Sequence, residues 1–117
     1  MSHTMNIKIE MKDKVALTAA IARLGLTAKE GTHQIYQTRE TGLGINLPGW
    51  KYPIVVKDGG KTLAYDNYNG HWGNQKELTK FQAYYGAEKA KIEARKKGYR
   101  VRETVQDDEI HLKILLN

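Results

Sequence analysis

The sequence contains no cysteine, and it has only one phenylalanine and two prolines among 117 residues. The missing cysteines exclude disulfides, thiolate metal sites and a cysteine nucleophile, and they fit a reducing compartment. No apolar run approaches the roughly 20 residues that a membrane-spanning helix needs, and the first residues lack the apolar core of a signal peptide. We therefore expect a cytoplasmic protein that does not act in a membrane.

The composition that remains is typical of a globular domain. Hydrophobic residues make up 40% of the chain and charged residues 27%, which argues against disorder. A chain of this length can bury roughly two thirds of its unfolded surface. The sequence predicts a single domain over residues 1–117.

Positive charge is concentrated in one part of the chain. The net charge is +6, and residues 74–102 hold nine basic and three acidic side chains, which accounts for the whole excess. Such a field attracts phosphates, nucleic acid or an acidic partner. The alternative interpretation is a solvated helix whose lysines only provide solubility.

The first half of the chain shows the patterns of strands and one short helix. Met5–Met11 alternates between apolar and polar residues, which predicts a half-buried strand. Asp13 is placed to cap a helix that stops at Gly25. Thr32–Thr38 is a second predicted strand, and the glycines and prolines of Arg39–Pro53 predict a loop or an irregular strand edge.

The second half consists of two predicted hairpins with a long helix between them. An Asp-Gly turn between the apolar runs Ile54–Lys57 and Thr62–Tyr65 is a strong hairpin signal. A capping-box pattern begins a helix over Asn74–Lys97, and a closing hairpin turns at two consecutive aspartates. Together these elements predict an α+β fold, with a single twisted, mainly antiparallel sheet and two helices, the second long and basic.

The predicted long helix has two different faces. One face is an apolar stripe of large residues, formed by Leu78, Phe81, Tyr85 and Ile92. The opposite face carries small residues at helical spacing, namely Ala83, Ala87, Ala90 and Ala94. Small residues permit close approach of a second element or a second copy, although alanine is also simply the best helix former. The pattern leaves open which face meets the sheet, and a helix covered on both faces would be either sandwiched within the protein or part of a homo-oligomer.

The segment YDNYNGHWG, from Tyr65 to Gly73, has the most unusual composition in the chain. Its asparagines and its aspartate favour turns, and its rings offer large flat faces. One interpretation is a ligand wall, with rings that stack on a flat group and amides that bind it. The other is a well-packed turn that seats the long helix on the sheet.

The candidate ligand-binding residues come from this aromatic turn and from the basic segment after it. They are Tyr65, Asn67, Tyr68, His71, Trp72, Lys89, Arg100 and Arg102. In this hypothesis the rings stack on a flat group while a cation pairs with its phosphate or carboxylate, so the rings and the arginines must share one patch. The register of the closing hairpin stays open; one register places four basic side chains on the same face, namely Arg100, Arg102, His111 and Lys113.

No sequence pattern of a catalytic or metal site is present. An activated nucleophile needs an oriented base beside it, and no motif of that kind occurs. The histidines are scattered singly and form no metal-ligand pair; they are His3, His33, His71 and His111. The sequence therefore argues against an enzyme and predicts no catalytic residue, no metal and no cofactor.

Three segments resemble a known family. They read MSHTMNIKIEMKDKVALTAAIARLG, LAYDNYNGHWG and KIEARKKGYRVRETVQDDEIHLKI. They resemble the family typified by the hypothetical chloroplast reading frame thirty-five, a domain of unknown function in plastids, cyanobacteria, other bacteria and some of their phages. The best matches are the Met-Ser-His start with Lys12–Lys14, the Trp72-Gly73 pair, and Glu93-Ala94 leading to Lys97–Tyr99, whereas Arg39–Tyr52 departs from the pattern. The resemblance implies a small soluble intracellular protein and brings no catalytic residues with it.

Three binding functions remain after these exclusions. The sequence favours a non-enzymatic module for a small anionic ligand such as a nucleotide, because the basic excess is modest and no known RNA-binding motif is present. The first alternative is a nucleic-acid platform, above all for RNA, on which the rings stack exposed bases. The second is a protein-interaction adaptor or a homo-oligomer, based on the alanine face of the long helix.

Overall fold

The structure is a computed structural model that describes residues 4–116. The Met-Ser-His start that contributes to the family resemblance, with His3, lies outside the described residues, as does the last residue. The helices are α1 (Lys14–Arg23) and α2 (Gln75–Lys96). The strands are β1 (Met5–Lys8), β2 (Thr27–Ile35), β3 (Thr38–Asn46), β4 (Ile54–Lys57), β5 (Thr62–Tyr65), β6 (Arg100–Gln106) and β7 (Glu109–Leu115).

The strands form two sheets. Five of them make an antiparallel sheet in the order β1-β5-β4-β3-β2, and β6 pairs with β7 in a separate two-stranded sheet. The predicted α+β class, with two helices and mainly antiparallel pairing, is confirmed. The predicted single sheet is two sheets in the structure, because the closing hairpin packs against α2 and does not extend the large sheet.

The main core lies between the large sheet and the two helices. The sheet contributes side chains from one of its faces, namely Ile45, Ile54, Val56 and Leu63. The helices contribute Ala16, Leu17, Ala20, Leu78, Phe81, Tyr84 and Tyr85. The apolar stripe that the sequence identified on the long helix therefore meets the sheet. Tyr85 also ties α2 to the start of α1, because its hydroxyl accepts the backbone N–H of Asp13 at 3.1 Å.

The β2–β3 hairpin differs from the prediction. The predicted strand over Thr32–Thr38 contains the turn between two strands, and the predicted loop over Arg39–Pro53 contains most of β3. The first prediction is right for the end of β2 but runs on through the turn. For the second segment the loop interpretation was wrong over β3, because glycines inside a strand were taken as signs of a loop, and the irregular strand edge is closer to the structure. Gly31 and Gly42 lie directly opposite each other in the two strands, with φ of 148° and 159°.

At this glycine pair the hairpin bends over the sheet face that the helices leave open. Its tip crosses the sheet, since the hydroxyl of Thr38 lies 2.7 Å from that of Thr4, beside the opposite edge strand β1. Ile35 near the tip is completely buried with Val55 and Ala64. The bent hairpin thus closes a second, smaller core.

The local signals of caps and turns are confirmed. The Asp13 side chain accepts backbone N–H groups in the first turn of α1, and Asn74 accepts the N–H of Lys76 at the start of α2. The predicted hairpin of β4 and β5 turns through Asp58–Gly60. Gly25 has a φ of 66° after α1, which is the left-handed stop that favours glycine.

The β6–β7 hairpin, called the ribbon from here on, lies along α2, with Asp108 3.4 Å from Lys80 and Glu103 3.3 Å from Lys91. The protein measures 53 × 29 × 22 Å and has a radius of gyration of 15.2 Å, against about 13 Å for a compact domain of this size. The two residues of the ribbon's turn, Asp107 and Asp108, both have positive φ, 51° and 63°, as a type I′ turn requires. This turn fixes the pairing of β6 with β7, so one face of the ribbon looks toward α2 and the other toward solvent.

Candidate functional site

The aromatic turn between β5 and α2 is held by its own backbone and by one buried amide. Tyr68 and Asn69 adopt positive φ of 45° and 51°, a conformation that strains a side chain as large as tyrosine. The buried side chain of Asn67 donates to the carbonyl of Gly73 at 3.2 Å and to the side-chain oxygen of Gln75 at 3.1 Å. Asn67 therefore ties the turn to α2, and its amide is not offered to a ligand.

Trp72 of the turn is surrounded by three tyrosine rings, one from the turn and two from earlier in the chain. The ring centroids of Tyr36, Tyr52 and Tyr68 lie 5.0, 5.5 and 4.9 Å from that of Trp72, and the Lys51 ammonium lies 4.9 Å from it. Tilted and edge contacts of this kind pack rings against one another, and the chain's own lysine takes the place over the ring that suits a cation. The geometry fits a packed turn better than an open stacking wall.

Two further candidates from the turn lie on either side of this cluster. His71 is exposed, with its ring 4.8 Å from that of Tyr68. Tyr65 is directed to the helix side of the sheet, where its ring packs at 5.9 Å from that of Trp50. Tyr65 is therefore a residue of the core edge.

Lys89 on α2 is engaged in an ion pair with Glu10, which precedes α1. The Lys89 ammonium lies 2.5 Å from a carboxylate oxygen of Glu10. This hydrogen bond lowers the pKa of Glu10 and raises the pKa of Lys89. Both groups are largely open to solvent, so the pair contributes little to stability. Lys89 joins α2 to the segment before α1.

Arg100 and Arg102 lie at the other end of α2 from the rings. The rings precede α2 and Arg100 follows it, and a helix of 22 residues is about 33 Å long. Both arginines also point away from α2. Successive residues of a strand point to opposite faces, and Glu103, the residue after Arg102, reaches Lys91 of α2 at 3.3 Å. The predicted single patch of rings and arginines is therefore not formed.

The structure instead gathers basic side chains on the solvent face of the ribbon. The register sets Arg102 directly opposite Lys113, with Arg100 and His111 on the same face, and all four are exposed. His111 lies 3.3 Å from Glu109, whereas the other three have no ion-pair partner within residues 4–116. Like charges directly opposite destabilise a strand pair. We call this surface, with Arg100, Arg102, His111 and Lys113, the basic face.

The charges on the α2 side of the ribbon are paired. Arg23 donates from both terminal nitrogens to the two carboxylate oxygens of Glu103, at 2.8 and 2.6 Å. Lys91 lies 3.3 Å from Glu103 and 2.9 Å from Glu88. The paired hydrogen bonds with Arg23 lower the pKa of Glu103 and raise the pKa of the guanidinium. This cluster holds the ribbon against both helices.

We expect the Glu103 cluster to make the protein less stable in acid. The folded pKa of Glu103 is lowered, so its contribution is complete above the unfolded pKa of about 4.3 and is lost as the pH falls through the folded pKa. Glu103→Gln should therefore lower the free energy of unfolding by about 1 kcal/mol at neutral pH. The native and substituted chains should then converge in acid, which urea unfolding at several pH values measures.

Glu93→Gln is the matched control for this prediction. Glu93 is on the exposed side of α2, and its nearest cation, Lys96, is 3.9 Å away. The control should change the free energy of unfolding by less than about 0.5 kcal/mol at any pH. Equal effects of the two substitutions would contradict the role given to Glu103.

Two cavities are described, and neither is lined by the rings of the aromatic turn. The larger is a groove of about 940 Å³ between α2 and β7. On the α2 side it is lined by small residues such as Ala83 and Gly86 and, toward the start of the helix, by longer polar ones such as Lys76. On the β7 side it is lined by residues that include Ile110 and Leu112. The smaller cavity, of about 50 Å³, lies beside the end of α1. The pocket expected beside the rings is therefore not one of the two.

Asp66 is buried beside the aromatic turn, with 3% of its surface exposed. Its Oδ1 atom accepts the backbone N–H of Tyr68 at 3.0 Å, whereas Oδ2 has no hydrogen-bond partner among the described residues. An unpartnered buried oxygen is costly. Asp66 lines neither described cavity, so this oxygen gives no indication of a ligand.

Within residues 4–116, no group of three or more histidine, aspartate and glutamate side chains is arranged to hold a metal ion. In the same part of the chain, neither helix combines the length and the apolar character that crossing a bilayer requires. The family resemblance of the three sequence segments stays a prediction, since no family model, no curated protein and no solved structure matches the chain.

Proposed function

We propose that the protein is a non-enzymatic binding module that holds nucleic acid, above all RNA, on the basic face of the ribbon. The observation that supports this most is the pair formed by Arg102 and Lys113, two like charges directly opposite on adjacent strands. The repulsion between these two side chains destabilises the folded chain. A phosphate bound between the two side chains would relieve it through charge-assisted hydrogen bonds.

The arrangement of the charges suits a polymer better than one small anion. Alternate residues of a strand recur about 6.6 Å apart, so Arg100 and Arg102 extend the charge along β6 while Lys113 adds to it on β7. None of these three lines a described cavity, and they form an open surface. Such a surface meets a phosphate backbone through several ion pairs along its length.

A small anionic ligand, the function that the sequence favoured, has less support. It required rings and cations on one patch, and the rings instead surround Trp72 and Lys51 at the far end of α2. On the ribbon, a mononucleotide would make only one or two exposed ion pairs, which contribute little individually. The basic face also carries no tyrosine, tryptophan or phenylalanine, and His111 is its single ring, so we expect contacts mainly with phosphates and little sequence preference.

The test is binding of a fluorescently labelled single-stranded RNA of about 20 nucleotides, followed by anisotropy at about 0.1 M salt. Arg102→Gln with Lys113→Gln should weaken binding roughly 10–30-fold, because two phosphate contacts are lost. Lys14→Gln with Lys29→Gln is the control. Both of these lysines are exposed and neither is part of an ion pair within residues 4–116, so the control removes the same charge from elsewhere and should bind within about 3-fold of the native chain.

Two competitors distinguish the alternatives. ATP at the same phosphate concentration should displace the RNA poorly, because a polymer gains from contacts along its length. Polyglutamate should also compete poorly, since carboxylates spaced on a peptide do not reproduce a phosphate backbone. The proposal would be overturned if the ribbon variant and the lysine control lost the same RNA affinity, or if no RNA bound at low salt. It would also be overturned if ATP or polyglutamate displaced the labelled RNA as well as unlabelled RNA does.

A further inference from the structure

The outer edge of β7 has unpaired backbone groups. Opposite residues of an antiparallel pair alternate between hydrogen-bonded and non-hydrogen-bonded pairs, and a two-residue turn closes with a hydrogen-bonded pair, here Gln106 with Glu109. Ile110, Leu112 and Ile114 therefore point their backbone N–H and C=O groups away from β6. Within residues 4–116, no hydrogen bond from a turn, a loop or another element reaches them.

This edge is open to another strand. The pairing of β6 with β7 is continuous, without a bulge, and β7 contains no proline; bulges and prolines are two of the devices that protect edge strands. Ile114 of β7 is 47% exposed. Glu103 of β6 binds Arg23 at the end of α1, which places the β6 edge toward α1 and leaves β7 as the strand farther from it.

The β7 strand is complementary to itself in one register. If two copies pair antiparallel about a two-fold axis at His111, Glu109 of each copy lies opposite Lys113 of the other. Ile110 then lies opposite Leu112, and these are the residues with free backbone groups. The charged positions fall in the non-hydrogen-bonded pairs, where side chains lie closest. A register centred on Leu112 would instead set His111 against Lys113 and would lose both charge pairs.

The groove between α2 and β7 leaves room for the second copy. α2 contacts both strands of the ribbon, so in a joined sheet the two α2 helices lie on the same face. The two ribbons are then offset by two strand spacings, about 10 Å, which is close to the 8–10 Å at which helices pack. Helices that approach so closely need small side chains, and α2 presents Thr79, Ala83 and Gly86 in the groove.

We infer that two copies of this chain dimerise by pairing their β7 strands edge to edge, which joins the ribbons into one four-stranded sheet under paired α2 helices. The self-complementary charges of Glu109 and Lys113 select a second copy as the occupant of the edge and the groove. The basic face lies on the side of that sheet opposite to the helices, so dimerisation leaves Arg100 and Arg102 exposed and brings Glu109 of the second copy beside Lys113. The inference does not depend on nucleic-acid binding.

Sedimentation equilibrium of the native chain without nucleic acid tests the dimer. The mass should rise with concentration from 13.3 kDa to twice that value. Glu109→Lys and Lys113→Glu should each weaken dimerisation about tenfold or more, because each creates two like-charge pairs across the axis. The double variant restores opposite charges, and its dimerisation should return to within about 3-fold of the native value.

Gly86→Gln tests the helix contact separately. A Cβ atom at Gly86 has no heavy atom within 4 Å, and glutamine is the better helix former, so the monomer should fold with unchanged circular dichroism. Its dimerisation should weaken about tenfold or more, because the side chain occupies the space between the two helices. A chain that stays monomeric at millimolar concentration would overturn the inference, as would single charge variants that dimerise normally or a double variant that does not recover.

Discussion

Phe81→Ala is expected to lower the free energy of unfolding by about 3–5 kcal/mol. Phe81 is the single phenylalanine of the chain, and it is completely buried between α2, α1 and the sheet. Its truncation removes apolar contacts and leaves a cavity that the neighbours fill only in part. Because a domain of this size is stable by only about 5–15 kcal/mol, the variant should lose a large share of its stability in urea denaturation followed by circular dichroism.

Thr79→Ala is the control for this substitution, since Thr79 is on the same helix but exposed in the groove. It should change the free energy of unfolding by less than about 0.5 kcal/mol. If Phe81→Ala cost no more than Thr79→Ala, α2 would not pack on the sheet through its apolar stripe, and the described core would be wrong.

Gly42→Ala is expected to be the second most damaging change, at about 2–4 kcal/mol. A Cβ atom at Gly42 would lie 2.3 Å from the carbonyl oxygen of Val56 and 3.1 Å from a methyl of Val55. The first of these is a backbone atom of the neighbouring strand, so the strands must separate to admit the methyl group. The φ of 159° at this position adds a strain that glycine avoids. Thermal unfolding followed by circular dichroism measures the loss.

Gly31→Ala separates the two contributions to that loss. Gly31 is paired directly with Gly42 and has a similar φ of 148°, but a Cβ atom there would have no heavy atom within 4 Å. It should cost only the backbone strain, about 1–2 kcal/mol. Equal losses at the two glycines would mean that β3 does not approach β4 as closely as described.

The parts of the fold that depend on a few consecutive residues were predictable from the sequence. The cap at Asp13, the cap at Asn74 and the Asp-Gly turn between β4 and β5 are all confirmed. Each is decided by hydrogen bonds or backbone angles within three or four residues. The α+β class follows from the order of these elements, which explains why it was also correct.

The β2–β3 hairpin was missed because its signals have two meanings. Glycine usually interrupts a strand, yet Gly42 and Gly44 lie inside β3, where the first lets the hairpin bend and the second lies under the ring of His33. Only the packing of the whole sheet distinguishes these uses from a loop. The bend also brings Tyr36 onto Trp72, a contact between distant residues that no local pattern indicates.

The basic face was only partly predictable. The positive charge, and the position of Arg100 and Arg102 in one phase of a strand, were predictable from the sequence. Their predicted contact with the rings was wrong because the length of α2, which separates the rings from β6, was left out of account. Lys113 lies outside the basic segment and reaches Arg102 only through the pairing of β6 with β7. A two-residue turn fixes that pairing, so the two consecutive aspartates were the signal that could have shown it.

The measurement that tests the basic face most directly is the salt dependence of RNA binding. The logarithm of the affinity should fall linearly with the logarithm of the salt concentration, with a slope of about 0.7 for each phosphate contact in single-stranded RNA. Arg102→Gln with Lys113→Gln should make that slope shallower by about 1.4, and Lys14→Gln with Lys29→Gln should leave it unchanged. An unchanged slope in the Arg102 and Lys113 variant would contradict the account, because those side chains would then contact no phosphate.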